Sequence, residues 1–161
     1  SRISYLTIKK VIQALEGLFL IRSVPLLGDS KGMTYFLEDQ GMASWLLPAA
    51  GEKSSQTTEW DIVRILYSNL RHELWYQPEL RGTIGSYRTR HGVLVHLVFD
   101  TIYGKLGIVV SPDAEPRPKT IAAAEAFLKR FPTARVAIAY AGDKCVIKSQ
   151  SHFWVPYWLL V

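Results

Sequence analysis

The chain lacks the features that mark secreted or membrane-spanning proteins. Among its 161 residues there is a single cysteine, Cys145, so no internal disulfide can form. Its longest nearly uncharged apolar runs, at residues 17–21 and 93–99, are far shorter than the ~20 residues that cross a bilayer. The first residues do not have the charged and then apolar pattern of a secretory leader. We therefore expect a cytoplasmic protein that has no contact with a membrane.

The chain also lacks the high charge density of a disordered tail. Hydrophobic residues make up 48% of it and charged residues 20%, and its 5 Trp, 8 Tyr and 6 Phe can supply a packed core. Lys and Arg number 19 against 14 Asp and Glu, which gives a formal net charge of +5. This surplus attracts phosphate mildly, but a solvated surface produces it more often than a nucleic-acid site does. Charge alone therefore does not identify a partner.

The first 47 residues predict a helix followed by a hairpin. Apolar residues at positions 8, 11, 12 and 15 recur at helical spacing, and two short apolar runs flank a Gly-rich turn. The predicted elements are a helix from Ser4 or Thr7 to Glu16, a strand over 19–24 that ends at Pro25, a strand over 33–37 and a short helix over 40–47. This order is that of the second half of a winged helix. We therefore interpret residues 1–47 as a truncated winged-helix-like segment.

A polar stretch over residues 48–59 has the composition of a linker. After it, the periodicity predicts helices at 60–75 and 120–131 and strands at 83–90, 93–99, 106–110, 135–141 and 144–148, followed by an apolar tail at 153–161. Helices that alternate with strands in this way indicate an α/β fold with a mixed sheet. Residues 60–161 form the second predicted domain.

Three phrases of the sequence carry a resemblance to a known family. They are LEGLFLI at residues 15–21, YFLEDQG at residues 35–41 and VPYWLL at residues 155–160. With the order of elements, they make the chain resemble the C-terminal region of AAA+ ATPases that carry the domain of unknown function numbered 4143. The resemblance implies a winged-helix segment joined to a fold like that of the PD-(D/E)xK nucleases, preceded by an ATPase domain. This chain itself contains no phosphate-binding loop of the Gly-x-x-x-x-Gly-Lys-Ser/Thr type.

The resemblance also implies where a nuclease site would lie. In that family an acid-Val-Asp triplet follows an Arg-x-x-Gly turn, and an acid-Val-Lys triplet lies on the next strand, so that the carboxylates hold a divalent metal. The turn is matched by RTRHG at residues 88–92. The four charged positions are instead occupied by uncharged side chains or histidine: Leu94, His96, Val109 and Ser111. The sequence therefore predicts a degenerate nuclease site without catalytic residues.

Other residues do not replace the missing site. Asp100 is predicted on the same strand face as His96, but four residues at ~3.3 Å each put them ~13 Å apart. Asp113 and Glu115 lie in a proline-rich loop, and the four histidines show no zinc-ligand spacing. We therefore expect no metal and no cofactor. His96 is predicted to be a partly buried histidine with one hydrogen bond.

The apolar residues at the vacated site are expected to have a structural role. Leu94, Val98 and Val109 should pack against the helix at residues 120–131, where each buried side chain contributes about 1.5–3 kcal/mol. Cys145 is likewise expected to pack rather than to react, since Lys144 is its one basic neighbour in sequence.

Three functions remain open at this point. The first is a non-catalytic recognition or scaffolding domain of an AAA+ ATPase, whose partner is the N-terminal ATPase domain of the parent chain. The second is a DNA-binding module that acts through a basic face of the winged-helix segment, made of Lys9, Lys10, Arg22 and Lys31. The third is a nuclease with a relocated active site.

Overall fold

A computed structural model describes residues 3–27, 32–39, 41–42 and 58–160 of the chain. The helices of these residues are α1 (Tyr5–Gly17), α2 (Glu59–Tyr76) and α3 (Pro118–Arg130), with single 3-10 turns at Pro78–Leu80 and Tyr157–Leu159. The strands are β1 (Ile21–Leu27), β2 (Met33–Leu37), β3 (Thr83–Arg88), β4 (Leu94–Thr101), β5 (Gly104–Ser111), β6 (Arg135–Tyr140), β7 (Val146–Ser149) and β8 (His152–Pro156). The predicted α/β class is confirmed.

All eight of these strands form one mixed sheet, in the order β2-β1-β3-β4-β5-β6-β8-β7. The central meander β3-β4-β5 is antiparallel, as the sequence predicted. Beyond it, β5, β6 and β8 run parallel to one another, and β7 is antiparallel to β8. On the other side β1 pairs in parallel with β3, and β2 completes a hairpin with β1.

The helices α2 and α3 cover opposite faces of this sheet. α2 begins with a capping box, in which the Thr58 hydroxyl and the Asp61 carboxylate satisfy each other's backbone N–H groups. Its buried residues pack on one face with Leu97, Ile108 and Val110; they are Ile62, Val63, Leu66 and Tyr67. α3 has Pro118 at its first turn and packs on the other face. The result is three layers, with the meander at the centre.

α3 lies unusually close to β5 because of a glycine. A Cβ atom on Gly107 would lie 2.7 Å from Cε1 of Phe127, the fully buried ring at the centre of α3. Val98 and Val109 pack in the same cluster as Phe127, which confirms the expected apolar contact of these two valines with the helix. Leu94 is not in the cluster and is only half-buried, so its predicted packing role is wrong.

Two predicted segments differ from the structure in ways that local sequence patterns do not show. β1 does not end at Pro25 but continues to Leu27, because the two residues after the proline, Leu26 and Leu27, pair with β3. The apolar tail contains β8, which is inserted between β6 and β7. An uninterrupted apolar run is typical of a parallel strand covered on both sides, and it carries no alternation from which the strand could be recognised.

Several predictions concern residues that the structure does not describe or leaves untested. The helix predicted at 40–47 and the linker at 48–59 lie mostly outside the described residues, although α2 already begins at Glu59. The division into domains at 47 and 60 stays a prediction. In the described part, β1 and β2 share the sheet of the later strands. No helix in that part combines the length and apolarity needed to cross a membrane.

Candidate functional site

A β-bulge in β4 turns His96 toward α2. Between two ladder pairs, β4 contributes residues 95–98 where β3 contributes residues 85–87. The additional residue breaks the alternation of side chains along the strand. His96 therefore reaches Glu59 on α2, and Leu97 packs into the cluster on the same face.

The bulge also corrects the predicted position of Asp100. Val98 packs toward α3, and Asp100, two residues later on the strand, shares its face. Asp100 pairs there with Lys105 of β5. His96 lies on the opposite face, so the prediction that the two residues share a face is wrong. The conclusion that they cannot share one metal stands.

The four degenerate positions lie where the two central strands stop pairing. The last ladder pair of β4 and β5 at this end is Leu97 with Ile108. Beyond it, residues 94–96 and 109–111 still belong to the strands but have no ladder pair with each other. These two ends contain Leu94, His96, Val109 and Ser111. The structure therefore brings the predicted positions together at one end of the meander.

His96 fills the gap between the two strand ends with two hydrogen bonds. Its Nδ1 accepts the backbone N–H of Val110 at 3.0 Å, and its Nε2 lies 2.6 Å from Oε1 of Glu59. Because Nδ1 accepts a hydrogen bond, the ring proton is on Nε2 and is donated to the carboxylate. The ring is 3% exposed and meets the edge of the Trp60 ring. His96 is thus more buried than predicted, and it makes two hydrogen bonds instead of one.

Glu59 is the acidic group of this site. It lies in the first turn of α2, and its side chain is 35% exposed. The hydrogen bond from His96 lowers the pKa of this carboxyl below its ordinary value, partial burial opposes the shift, and the charges of Arg117 and Lys119 contribute to the lowering. Glu59 is therefore a carboxylate at neutral pH.

A cavity of about 260 Å³ opens beside the His96–Glu59 pair. Its described lining comes from α2, the turn before β4, the strand ends and the first turns of α3. The residues are Glu59, His91, Gly92, Val93, Leu94, His96, Val109, Val110, Arg117, Lys119, Thr120, Ala122 and Ala123. Three of the four predicted positions line the cavity. The fourth, Ser111, is fully buried and is not among the lining residues.

Ser111 instead contacts the loop that leads to α3. Its hydroxyl donates to Oδ2 of Asp113 at 3.4 Å. Asp113 in turn accepts a hydrogen bond from Arg117, whose Nη2 lies 3.0 Å from Oδ1. The position expected to hold a catalytic lysine therefore helps to hold the loop before α3.

The predicted basic face of the first segment is only partly present. Lys9 and Lys10 are exposed on α1. Arg22 forms an ion pair with Glu38, which also pairs with Arg71, and this contact raises the pKa of Arg22. Lys31 lies outside the described residues. In the described part of this face, Lys9 and Lys10 are therefore the cations available to contact a nucleic acid, since Arg22 is paired with the carboxylate of Glu38.

Metal-ligating residues do not gather at the site. Among residues 3–27, 32–39, 41–42 and 58–160, no group of three or more His, Cys, Asp or Glu side chains could hold a metal ion. His96 has neither nitrogen free, and Glu59 is the one carboxylate among the described lining residues. Cys145 is exposed, so its predicted packing is wrong.

Four of the cavity's polar residues are not among the predicted site residues: Glu59, Arg117, Lys119 and Thr120. Glu59 lies at the end of the predicted linker, although Thr58 followed by Asp61 three positions later is the signature of a helix start. Arg117 and Lys119 flank Pro118, which is typical of a first helical turn. These signals indicate helix starts, but neither indicates that the two starts meet at one cavity.

Comparisons of the chain with family models, with curated proteins and with solved structures give no match.

Proposed function

We propose that the chain is a non-catalytic recognition or scaffolding domain, built on a degenerate PD-(D/E)xK-like fold, of a larger AAA+ ATPase. One observation carries the proposal: His96 stands where a metal-binding aspartate is expected and both of its nitrogens are engaged in structural hydrogen bonds. Metal-dependent phosphodiester cleavage needs carboxylates that hold the metal ion. The ion then neutralises the negative charge that develops on the phosphoryl group. An imidazole whose two nitrogens bridge two strands and a helix stabilises the fold instead.

The arrangement of the layers supports the nuclease-like part of this proposal. The order helix, antiparallel meander, helix and parallel strand is that of α2, β3-β4-β5, α3 and β6. The ends of β4 and β5 that do not pair with each other form a fork at which two strands can present side chains to a common ligand. Here the fork carries Leu94 and Val109, which offer no metal ligand.

A cleavage assay tests the proposal. The purified chain is incubated with single-stranded, double-stranded and branched DNA and with RNA, in Mg²⁺ or Mn²⁺. We expect no cleavage above a buffer control. Cleavage that is abolished by a chelator and by Glu59→Gln would show that this chain is a nuclease with a relocated site. Asp100→Asn is the matched control, because Asp100 lies on the other face and pairs with Lys105.

DNA binding through α1 is the second candidate, and the exposure of Lys9 and Lys10 favours it. Binding by so few cations should be weak, non-specific and steeply dependent on salt, because each neutralised phosphate releases counterions. A titration of duplex DNA from low salt to about 0.2 M tests this expectation. Affinity that survives the higher salt and is lost in a Lys9→Glu, Lys10→Glu double variant would make DNA binding the primary function.

The ATPase partner is tested separately. The proposal expects a chain that contains this domain to have a phosphate-binding loop in the part before Ser1. Sequencing the parent reading frame checks the expectation, and a stop codon directly upstream would contradict it.

A further inference from the structure

Exposed aromatic side chains gather at the end of the sheet that lies away from the cavity. Trp75 is 82% exposed, Tyr76 78% and Tyr103 77%, and these are three of the four most exposed aromatic side chains in the described part of the chain. Ile102, beside Tyr103, is exposed as well. We call these four residues the aromatic patch. Large aromatic side chains are usually buried in a fold, so an exposed group of them marks a surface for a ligand or partner.

Two segments that are distant in sequence carry the aromatic patch, and Gly82 lets them approach each other. The first two residues of the patch end α2, and the other two form the turn between β4 and β5. A Cβ atom on Gly82 would lie 2.8 Å from Cδ2 of Leu74 and 3.0 Å from Cγ2 of Thr101. Leu74 directly precedes the two rings of α2, and Thr101 directly precedes the turn. The two halves of the patch therefore flank one close contact.

Hydrogen bonds fix the backbone of both halves. In the turn, the Thr101 hydroxyl donates to the carbonyl of Gly104 and accepts the N–H of Tyr103. At the end of α2, the backbone N–H of Gln77 donates to the carbonyl of Glu73, and its side-chain amide donates to the carboxylate of the same residue. The segments that carry the rings are thus ordered before a ligand arrives, which lowers the entropic cost of binding.

Cations without a carboxylate partner lie at the same end of the sheet. Arg81 directly precedes Gly82, and its φ of 41° is a left-handed conformation that glycine adopts at a lower cost. α3 ends here with the exposed residues Lys129 and Arg130, and β6 begins with the exposed Arg135. Among the described residues, none of these four cations forms an ion pair. They are therefore available to a negatively charged ligand.

The acidic groups at this end are fewer, and two of them are engaged. Asp100 is paired with Lys105, and Glu73 accepts the hydrogen bond from Gln77, whereas Glu79 is an exposed carboxylate. From the start of β3 to the start of β6 the sheet spans three strand spacings, or ~14 Å. This is the length of about four nucleotides stacked at ~3.4 Å each. The surface thus fits a short stretch of a polyanion.

Rings and cations together favour single-stranded nucleic acid over other polyanions. Bases of a single strand can stack on exposed aromatic rings, whereas an acidic protein segment carries the charge without flat groups. In a duplex the faces of the bases are already stacked on one another. We propose that the aromatic patch binds single-stranded DNA or RNA, with bases stacked on its rings and phosphates beside Arg81 and Arg135. The inference rests on the proposed function, since it gives the recognition domain its ligand.

Titration of the full chain with a fluorescently labelled single-stranded oligonucleotide, followed by anisotropy, tests the proposal. Trp75→Ala should weaken binding by about fivefold or more, the effect of removing one aromatic ring from a stacked base. Trp75→Phe keeps a ring and should retain most of the affinity. Tyr103→Ala should also weaken binding. Tyr5→Ala is the matched control, because Tyr5 is as exposed as Tyr103 but lies on α1, and it should leave the affinity unchanged.

A strand of the same length without bases separates stacking from charge. It keeps the phosphates, so Arg81→Gln should weaken the binding of both strands and reduce the slope of log K against log salt by about 0.7. Trp75→Ala should weaken only the strand that has bases. A DNA and an RNA strand of the same sequence are both titrated, and tighter binding of either, lost in Trp75→Ala, supports the proposal and identifies the source. The substituted side chains are exposed, and circular dichroism shows whether each variant is folded.

The proposal is overturned if Trp75→Ala binds the oligonucleotide as the parent chain does, if Tyr5→Ala has the same effect, or if the strand without bases binds as tightly as the strand with them. A dimer that Trp75→Ala dissociates, in a chain that binds no oligonucleotide, would identify a contact between copies and overturn it too. Binding lost in the Lys9→Glu, Lys10→Glu double variant but not in Trp75→Ala belongs to α1 and overturns this inference alone. Metal-dependent cleavage lost in Glu59→Gln overturns the proposed function instead.

Discussion

The two faces of the sheet are held to their helices by different chemistry. α3 covers its face with aromatic and small apolar residues: Phe127 packs against Tyr87 and Phe131, and Ala124 is fully buried. α2 also buries apolar residues, but its contact with the sheet includes the hydrogen bond of Glu59 with His96. Glu38, the residue directly after β2, also forms an ion pair with Arg71 of α2.

This difference places the polar contact of His96 with Glu59 on the α2 side, and the cavity beside that contact is lined by α2 and by the first turns of α3. Apolar packing is non-directional, whereas buried polar groups require partners in defined positions. Apolar packing on the α3 face can therefore maintain the fold, while hydrogen bonds in defined directions join Glu59, His96 and the N–H of Val110 on the α2 side. The variants below test this division, beginning with the largest expected change.

The largest effect is expected on the apolar face. Phe127→Ala should lower the free energy of unfolding by about 3–5 kcal/mol, because it removes a fully buried ring and leaves a cavity. Gly107→Ala tests the same contact from the strand and should cost about 1–3 kcal/mol through overpacking. Denaturant unfolding measures both. A change below 1 kcal/mol for Phe127→Ala would show that α3 does not hold this face.

A smaller effect is expected on the polar side. His96→Leu should cost about 1–3 kcal/mol, because the N–H of Val110 then remains buried without an acceptor. Glu59→Gln keeps an oxygen acceptor for the ring N–H and should cost less. The same unfolding experiment compares the two variants. If His96→Leu is as stable as the parent, the histidine is not structural, and the argument for a non-catalytic site loses its support.

The two faces should also differ in the pH range in which they lose stability. The hydrogen bond from His96 lowers the pKa of Glu59 from its ordinary 4.5, so the stability it contributes is present above about pH 4.5 and is lost as the pH falls below it. Burial lowers the pKa of His152 from its ordinary 6.5. Its paired residue Val136 packs with α3, so this loss belongs to the apolar face and begins below about pH 6.5.

Unfolding measured from pH 8 to pH 3 separates these two contributions. His152→Gln should flatten the upper part of the stability curve, and Glu59→Gln should flatten the lower part. If both variants flatten the same part, the two groups do not titrate independently, and the assignment to separate faces fails.

The smallest effect is expected for the exposed ion pair of the hairpin. Arg22→Ala should change stability by at most about 1 kcal/mol, because Arg22 is largely solvated and Glu38 keeps its second partner Arg71. Thermal unfolding at low and high salt checks this. A larger loss that disappears at high salt would show that the three charges act as a network.

Much of the fold could be predicted from local patterns. The central meander, the two helices that cover it and the α/β class follow from periodicity and turn residues, which depend on near neighbours in sequence. β8 could not be recognised, because its apolar residues at 153–156 show no alternation with polar ones. Pro25 predicts a strand end because it lacks an N–H, but only the position of the partner strand decides whether that donor is needed.

The position of the candidate site could be predicted from the sequence, but the full set of residues that form it could not. Its position followed from the matched turn at residues 88–92, and Leu94, His96 and Val109 do meet at one cavity. The orientation of His96 depends on a bulge, and a bulge is a relation between two strands that neither strand shows by itself. Glu59, Arg117 and Lys119 lie far from these residues in sequence and come together through the packing of two helices on the sheet.

By itself, the sequence determined which residue types are available: uncharged side chains at the expected ligand positions, a histidine among them and basic residues beside a proline. The tertiary structure decided what those residues do. It placed Glu59 against His96, gave each ring nitrogen one partner, and brought Lys119 and Thr120 into the lining of the same cavity. Hydrogen bonding acts at about 3 Å and in fixed directions, so the role of a polar residue is decided only when the chain has folded around it.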